Sequence, residues 1–155
     1  MEQPQYIVDA FTDAIFSGNP AAVCPLDDWL PDAMMAAIAR ENNLSETAFI
    51  VGTRGAYAIR WFTPSMEVDL CGHATLASAF VVFNYLEPNQ TAVSFQSPSG
   101  PLHVKRRDNL LVLDFPARPG DAVKCPPAIV EGLGVSPLAT FFARDYLVIF
   151  GSHEQ

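Results

Sequence analysis

Gly72-His73-Ala74-Thr75-Leu76-Ala77-Ser78-Ala79-Phe80-Val81-Val82-Phe83-Asn84-Tyr85-Leu86 is the stretch on which the fold turns. It is too long for a single strand and rich in alanine, so it reads as a helix. Its apolar residues do not keep to one stripe: Leu76, Ala77, Ala79, Phe80, Val81, Val82 and Phe83 run all the way round the helical wheel. A water-soluble helix of that kind needs cover on every side. Ala74, Ala77 and Ser78 are small enough to let strands approach closely. The expectation is an α+β fold in which a curved sheet is rolled around a central buried helix. Leu76, Phe80, Val81 and Phe83 are then all buried, although they point in different directions.

The flanking sequence supplies the strands. Gln5–Phe11 is β-rich and loosely alternating, and Ala21–Cys24 is a short apolar strand after the turn formers Phe16–Pro20. Pro31 and Asp32 open a helix, Pro31 because the first helical turn needs no N–H from it and Asp32 because it sits at the positive end of the dipole. Met34, Met35, Ile38 and Ala39 carry the helical spacing, and Asn42-Asn43 ends it. Thr47–Val51 and Tyr57–Phe62 form a hairpin around Gly52–Gly55. Ala92–Gln96, Leu102–Arg106 and Leu110–Phe115 are three more strands, with turns at Pro98–Pro101 and Arg107–Asn109.

Beyond Phe115 the texture changes. Pro116, Pro119, Pro126, Pro127 and Gly120 mark a linker, followed by a short helix over Ala128–Leu133 and strands at Thr140–Ala143 and Tyr146–Phe150. So little structure makes a poor independent domain. The division expected is residues 1–118 as one domain and 119–155 as a linker with the start of a second, similar domain. The tail Ser152–Gln155 arrives directly after a strand, which fits an interruption.

Composition narrows the partners. The 155 residues are half apolar and 17% charged, with 17 acidic against 9 basic side chains, a formal charge of −8. That balance repels nucleic acids and anionic membranes. Lys105-Arg106-Arg107 beside Asp108 reads as a hairpin tip. No apolar run reaches the roughly 20 residues of a membrane span, and the N-terminus has neither the basic nor the apolar region of a signal peptide, so the cytoplasm is expected. Cys24, Cys71 and Cys125 lack CxxC spacing, and His73, His103 and His153 are scattered, so neither a disulfide framework nor a metal site is expected. No GxGxxG, P-loop, HExxH or GxSxG motif occurs, which leaves acid/base or thiol chemistry without a cofactor.

Three places can carry such chemistry. Asp69–Thr75 lies at the start of the buried helix, where unpaired N–H groups and the dipole attract anions. There Gly72 permits close approach of a ligand, and His73 can donate a proton or simply cap. Cys71 is either a small core residue or a thiol whose pKa the helix depresses. Glu46, at the mouth of an apolar strand, is either a solvated loop residue or a partly desolvated carboxylate usable as a proton shuttle. Asn19 in Gly18-Asn19-Pro20 is either a turn residue or a hydrogen-bond donor to a carboxylate.

The motifs Asp9-Ala10-Phe11, Gly18–Val23, Ala39–Phe49 (ARENNLSETAF), Trp61–Pro64 and Cys71–Leu76 (CGHATL), in that order, closely resemble the phenazine-biosynthesis isomerase family, related in fold to diaminopimelate epimerase. The match is good over residues 5–115 and loose over 125–150, so the chain resembles the N-terminal half of a family member. The resemblance implies two similar domains, each a sheet rolled round a helix, with a small carboxylate-bearing substrate in the cleft between them. It places the catalytic Glu on Glu46 and the helix-terminal His on His73. Glu46 then takes a proton from one carbon and returns it to another without metal or cofactor, while Gly72 and His73 hold the substrate. Cys71 falls where the related epimerases carry a catalytic thiol, a position that is not a thiol in some family members. The family's second domain also supplies an Asp and a Gly-Ser motif facing the Glu, and residues 119–155 are not expected to supply them.

Two function classes therefore stand: half of a cofactor-independent isomerase that needs its missing C-terminal half, or a non-catalytic chain that binds a partner or forms a homodimer. A Cys71-dependent epimerase is a third reading.

Overall fold

A computed structural model describes residues 3–14 and 16–152 of the chain. His153–Gln155, the end of the expected tail, lie outside the described residues. Contacts divide the chain into a larger unit ending at Phe115 and a smaller one starting at Pro116.

In the larger unit the strands are β1 (Tyr6–Ala10), β2 (Asn19–Leu26), β3 (Glu46–Thr53), β4 (Ala56–Phe62), β5 (Glu67–Val68), β6 (Ala92–Ser97), β7 (Gly100–Arg107) and β8 (Leu110–Asp114). They form one sheet in the order β1-β2-β3-β4-β6-β7-β8, with β5 paired to β4. Only β2–β3 and β4–β6 are parallel. Parallel neighbours require a crossover, and each crossover carries a helix. Helix α1 (Asp32–Asn42) joins β2 to β3. Helix α2 (Gly72–Val81), prolonged by a π turn over Val82–Leu86, lies between β4 and β6.

The side chains of β2 and β3 explain why the short apolar runs are continuous rather than alternating. Val23, Ala48 and Ile50 face the cluster around α2, together with Trp61 and Phe95. Their neighbours Cys24 and Phe49 face the other way, against Met35 and Ala39 of α1. A strand covered on both faces reads as uniformly apolar. Arg60 on β4 closes the α1 side, donating two hydrogen bonds to Glu67 and one to Asp32 at 2.8 Å.

The rolled sheet meets the expectation from the central stretch, with one correction. Val81 and Phe83 are buried, but Phe80 is 39% exposed and Leu76 only half-buried. β1 and β8 are the two edges of the sheet. They flank the helix without closing over it. A groove of about 540 Å³, lined by Val8, Asp9, Phe11, Leu76, Phe80 and Leu110 among others, runs along this seam. The helical wheel reports apolarity, not which side the sheet leaves open, and for that reason Phe80 was misplaced.

The smaller unit holds β9 (Asp121–Ala122), helix α3 (Pro127–Leu133), β10 (Ala139–Phe142) and β11 (Tyr146–Ile149), in a three-stranded antiparallel sheet ordered β11-β10-β9. Two residues of the expected linker are thus a strand. The side chains of Leu147 and Ile149 are exposed. No helix among the described residues is long and apolar enough to cross a membrane.

Candidate active site at the start of the central helix

Because β2 and β3 are parallel, Asn19 and Glu46 both stand at the starting ends of adjacent strands, with Ala21 opposite Glu46. The first turn of α2 arrives at the same place. Its leading amides have no helical partner, and Cys71 in the capping position makes no side-chain cap hydrogen bond. Nothing in the protein's own packing requires glycine at 72: a Cβ there would meet only the Phe115 ring, at 3.8 Å. The glycine therefore leaves the helix end accessible.

All five sequence-predicted residues share this corner. Cys71, Gly72 and His73 are consecutive at the helix start, and His73 Nε2 lies 3.3 Å from Glu46 Oε2. The Cys71 thiol lies 3.4 Å from Nδ1 of the same ring. Asn19 joins through a residue to which sequence reasoning gave no role. Ser45 Oγ donates to Asn19 Oδ1 at 3.3 Å and stands 3.5 Å from His73 Nε2. The only hint of Ser45 in the sequence is its place beside Glu46, since the contact is made across strands.

Electrostatics assign protonation states. Burial holds the His73 pKa below the ordinary imidazole value, and the nearby Glu46 charge and Pro20 carbonyl only partly oppose it. The ring is therefore neutral at neutral pH. A carboxylate can only accept, so the hydrogen on Nε2 is directed at Glu46. Of the two readings of Cys71, the small core residue is the one that fits. Burial pushes its thiol up to about 12, and the Glu46 charge adds to this, outweighing the amides of the first turn. Cys71 is a protonated thiol, not a resting nucleophile.

The arrangement thus offers a carboxylate base, a neutral imidazole donor beside it, and the positive end of a helix, where an anion is favoured. One ligand atom each from Glu46, Cys71 and His73 also fall within 4.8 Å of one another, a set able to approach a metal ion.

Comparison with known proteins gives the corner a context. The model of the phenazine biosynthesis-like protein family matches residues 8–128. An uncharacterized isomerase of Pseudomonas aeruginosa is 50% identical over 149 residues, 96% of this chain and 58% of that protein. The crystal structure of a phenazine biosynthesis protein of the PhzF family from Enterococcus faecalis superposes with a TM-score of 0.89 at 47% identity, over 99% of this chain and 59% of that one. A predicted epimerase from Pseudomonas aeruginosa, 22% identical, shares the fold, with a TM-score of 0.69 over 87% of this chain and 51% of that one. The chain spans between somewhat under half and three fifths of the length of the curated relatives it matches.

Proposed function

The chain belongs to the phenazine biosynthesis-like protein family, and on that premise we propose that its larger unit forms one wall of an isomerase site in which Glu46 moves a proton between two carbons of a small carboxylate-bearing substrate. The observation that carries this reading is the 3.3 Å approach of His73 Nε2 to Glu46 Oε2 at the open start of α2. The substrate's carboxylate binds at Gly72, at the start of α2, where the helix dipole favours negative charge. That same positive end lowers the cost of the carbanion formed when Glu46 removes the C–H proton. Glu46 becomes the neutral acid, and the pair of electrons left on the substrate takes the proton back at the second carbon. His73 Nε2–H holds the carboxylate in place, and Asn19, its oxygen engaged by Ser45, offers its amide hydrogens to the substrate.

Proton transfer of this kind needs the substrate held from both sides; well-oriented groups supply on the order of 7–11 kcal/mol of barrier reduction. The facing wall comes from sequence equivalent to the remainder of the longer relatives, which supplies an acidic residue and a Gly-Ser segment. The 155-residue chain alone then turns over weakly or not at all, and adding the complementary portion restores activity. Glu46→Gln abolishing the restored activity is the test. Robust turnover by the chain alone would contradict the reading.

A second reading, a binding or self-associating protein without catalysis, draws on the exposed side chains of Phe142, Tyr146, Leu147 and Ile149. Proton exchange on small carboxylates separates the two.

A further inference from the structure

The corner at the start of α2 is also a set of soft metal donors. Zinc takes thiolate, imidazole and carboxylate ligands at about 2.0–2.3 Å, which places tetrahedral ligands roughly 3.5 Å apart. The Glu46–His73 and Cys71–His73 pairs already stand at 3.3 and 3.4 Å. They do so through different ring nitrogens, so an ion takes one nitrogen and the remaining donor closes in. With all three ligand atoms within 4.8 Å of one another, that movement is at most about 1.3 Å. Charge favours it as well. A carboxylate, a thiolate and a neutral imidazole carry two negative charges, which a divalent ion cancels inside a mostly buried corner. A thiolate and an imidazole together select zinc over magnesium or calcium, which prefer oxygen ligands throughout. Ser45 Oγ, 3.5 Å from His73 Nε2, or a water can complete four-coordination.

We propose that Glu46, Cys71 and His73 together bind one zinc ion, and that the bound ion silences the site by occupying the Glu46 carboxylate. The silencing rests on the isomerase reading above; the binding does not. On binding, the Cys71 S–H bond breaks, its proton leaves to solvent, and the sulfur's electron pair forms the bond to zinc.

Cobalt(II) added to the full chain serves as the spectroscopic probe, because a thiolate–cobalt bond gives a charge-transfer band in the near ultraviolet. The band is expected at one cobalt per chain, to be bleached by one equivalent of zinc, to be lost in Cys71→Ser, and to persist in Cys125→Ser. His73→Gln is expected to weaken cobalt binding at least about tenfold, since even changes around a ligand cost about 10–100-fold. Should Cys71→Ser not fold, the unsubstituted chain decides: zinc slows alkylation of Cys71, read by peptide mass spectrometry, while alkylation of Cys125 continues. No band, a band that survives Cys71→Ser, or a Cys71 alkylation rate indifferent to zinc would overturn the proposal. Since no substrate is present in these measurements, their failure leaves the isomerase reading intact. Conversely, a chain that binds zinc but whose restored enzyme ignores Glu46→Gln refutes only the latter.

Discussion

Replacing Glu87 by glutamine tests how the far end of the central helix is tied to the sheet. The Glu87 carboxylate follows the π turn and reaches the β3–β4 hairpin. There it accepts from the Arg54 amide at 2.6 Å, the Gly55 amide and the Tyr57 hydroxyl at 2.8 Å, and the Thr53 hydroxyl at 3.3 Å. Burial pushes its pKa up, but these four donors together outweigh burial and hold it below the ordinary value. Glutamine keeps one acceptor oxygen and turns an NH₂ group towards donors. Hydrogen bonds to a charged group are worth about 1.5–3 kcal/mol each. Thr53 and Arg54 are exposed, so water replaces part of what is lost. A net loss of about 1–2.5 kcal/mol at pH 7 follows, or roughly 3–8 °C in the melting temperature of a chain this size. The pH dependence has a definite sign. A carboxyl whose folded pKa is depressed contributes stability above its unfolded pKa of about 4.3 and loses it as pH falls through the lower folded value. The gap between wild type and Glu87→Gln, followed by thermal melts from pH 7 down to 3, therefore narrows below about pH 4. A gap that is absent at pH 7, or unchanged at pH 3, would refute the reasoning.

Three other outcomes are expected. Phe83→Ala, at a fully buried position, costs about 3–5 kcal/mol by urea unfolding, whereas Phe80→Ala at the open seam costs about 1–2; equal costs would mean that the seam is closed. Gly18→Ala places a Cβ 2.3 Å from the Ala10 carbonyl oxygen at a φ of +77°, so it destabilises by about 1–3 kcal/mol and displaces the adjacent Asn19; an unchanged denaturation midpoint would contradict this. In the restored enzyme Ser45→Ala lowers kcat/KM about fivefold, the worth of one hydrogen bond, and Ser45→Thr recovers most of it.

The readable parts of the fold were those with local causes. The helix at Gly72 was legible from its all-round apolarity, α1 from Pro31, Asp32 and its spacing, and the last hairpin from Arg107-Asp108-Asn109. The two-residue strands β5 and β9 exist only through pairing with β4 and β10, and no pattern within two residues can announce that. Asn19 looked like a turn residue because Gly18 and Pro20 flank it, yet it pairs with Ala10 as the first residue of β2. Phe80 was misplaced because the sheet's order, not the helix, decides where the seam falls. In the site, motif order supplied Glu46, Cys71, Gly72 and His73, but only the parallel pairing of β2 with β3 brings Asn19 and Ser45 to them. Of the two readings open for Cys71, a depressed thiol or a small core residue, burial decides for the second, and burial is invisible in one sequence.

The most direct test of Glu46 as the proton carrier is deuterium exchange. The chain is combined with the C-terminal portion of the Pseudomonas aeruginosa relative that it does not span, in D₂O, and a panel of small carboxylates is followed by proton NMR. Loss of one C–H signal from at least one substrate is expected with the combined wild type, little or none with the chain alone, and none with Glu46→Gln. Exchange that continues unchanged in Glu46→Gln, or that no substrate in the panel undergoes, would contradict the account.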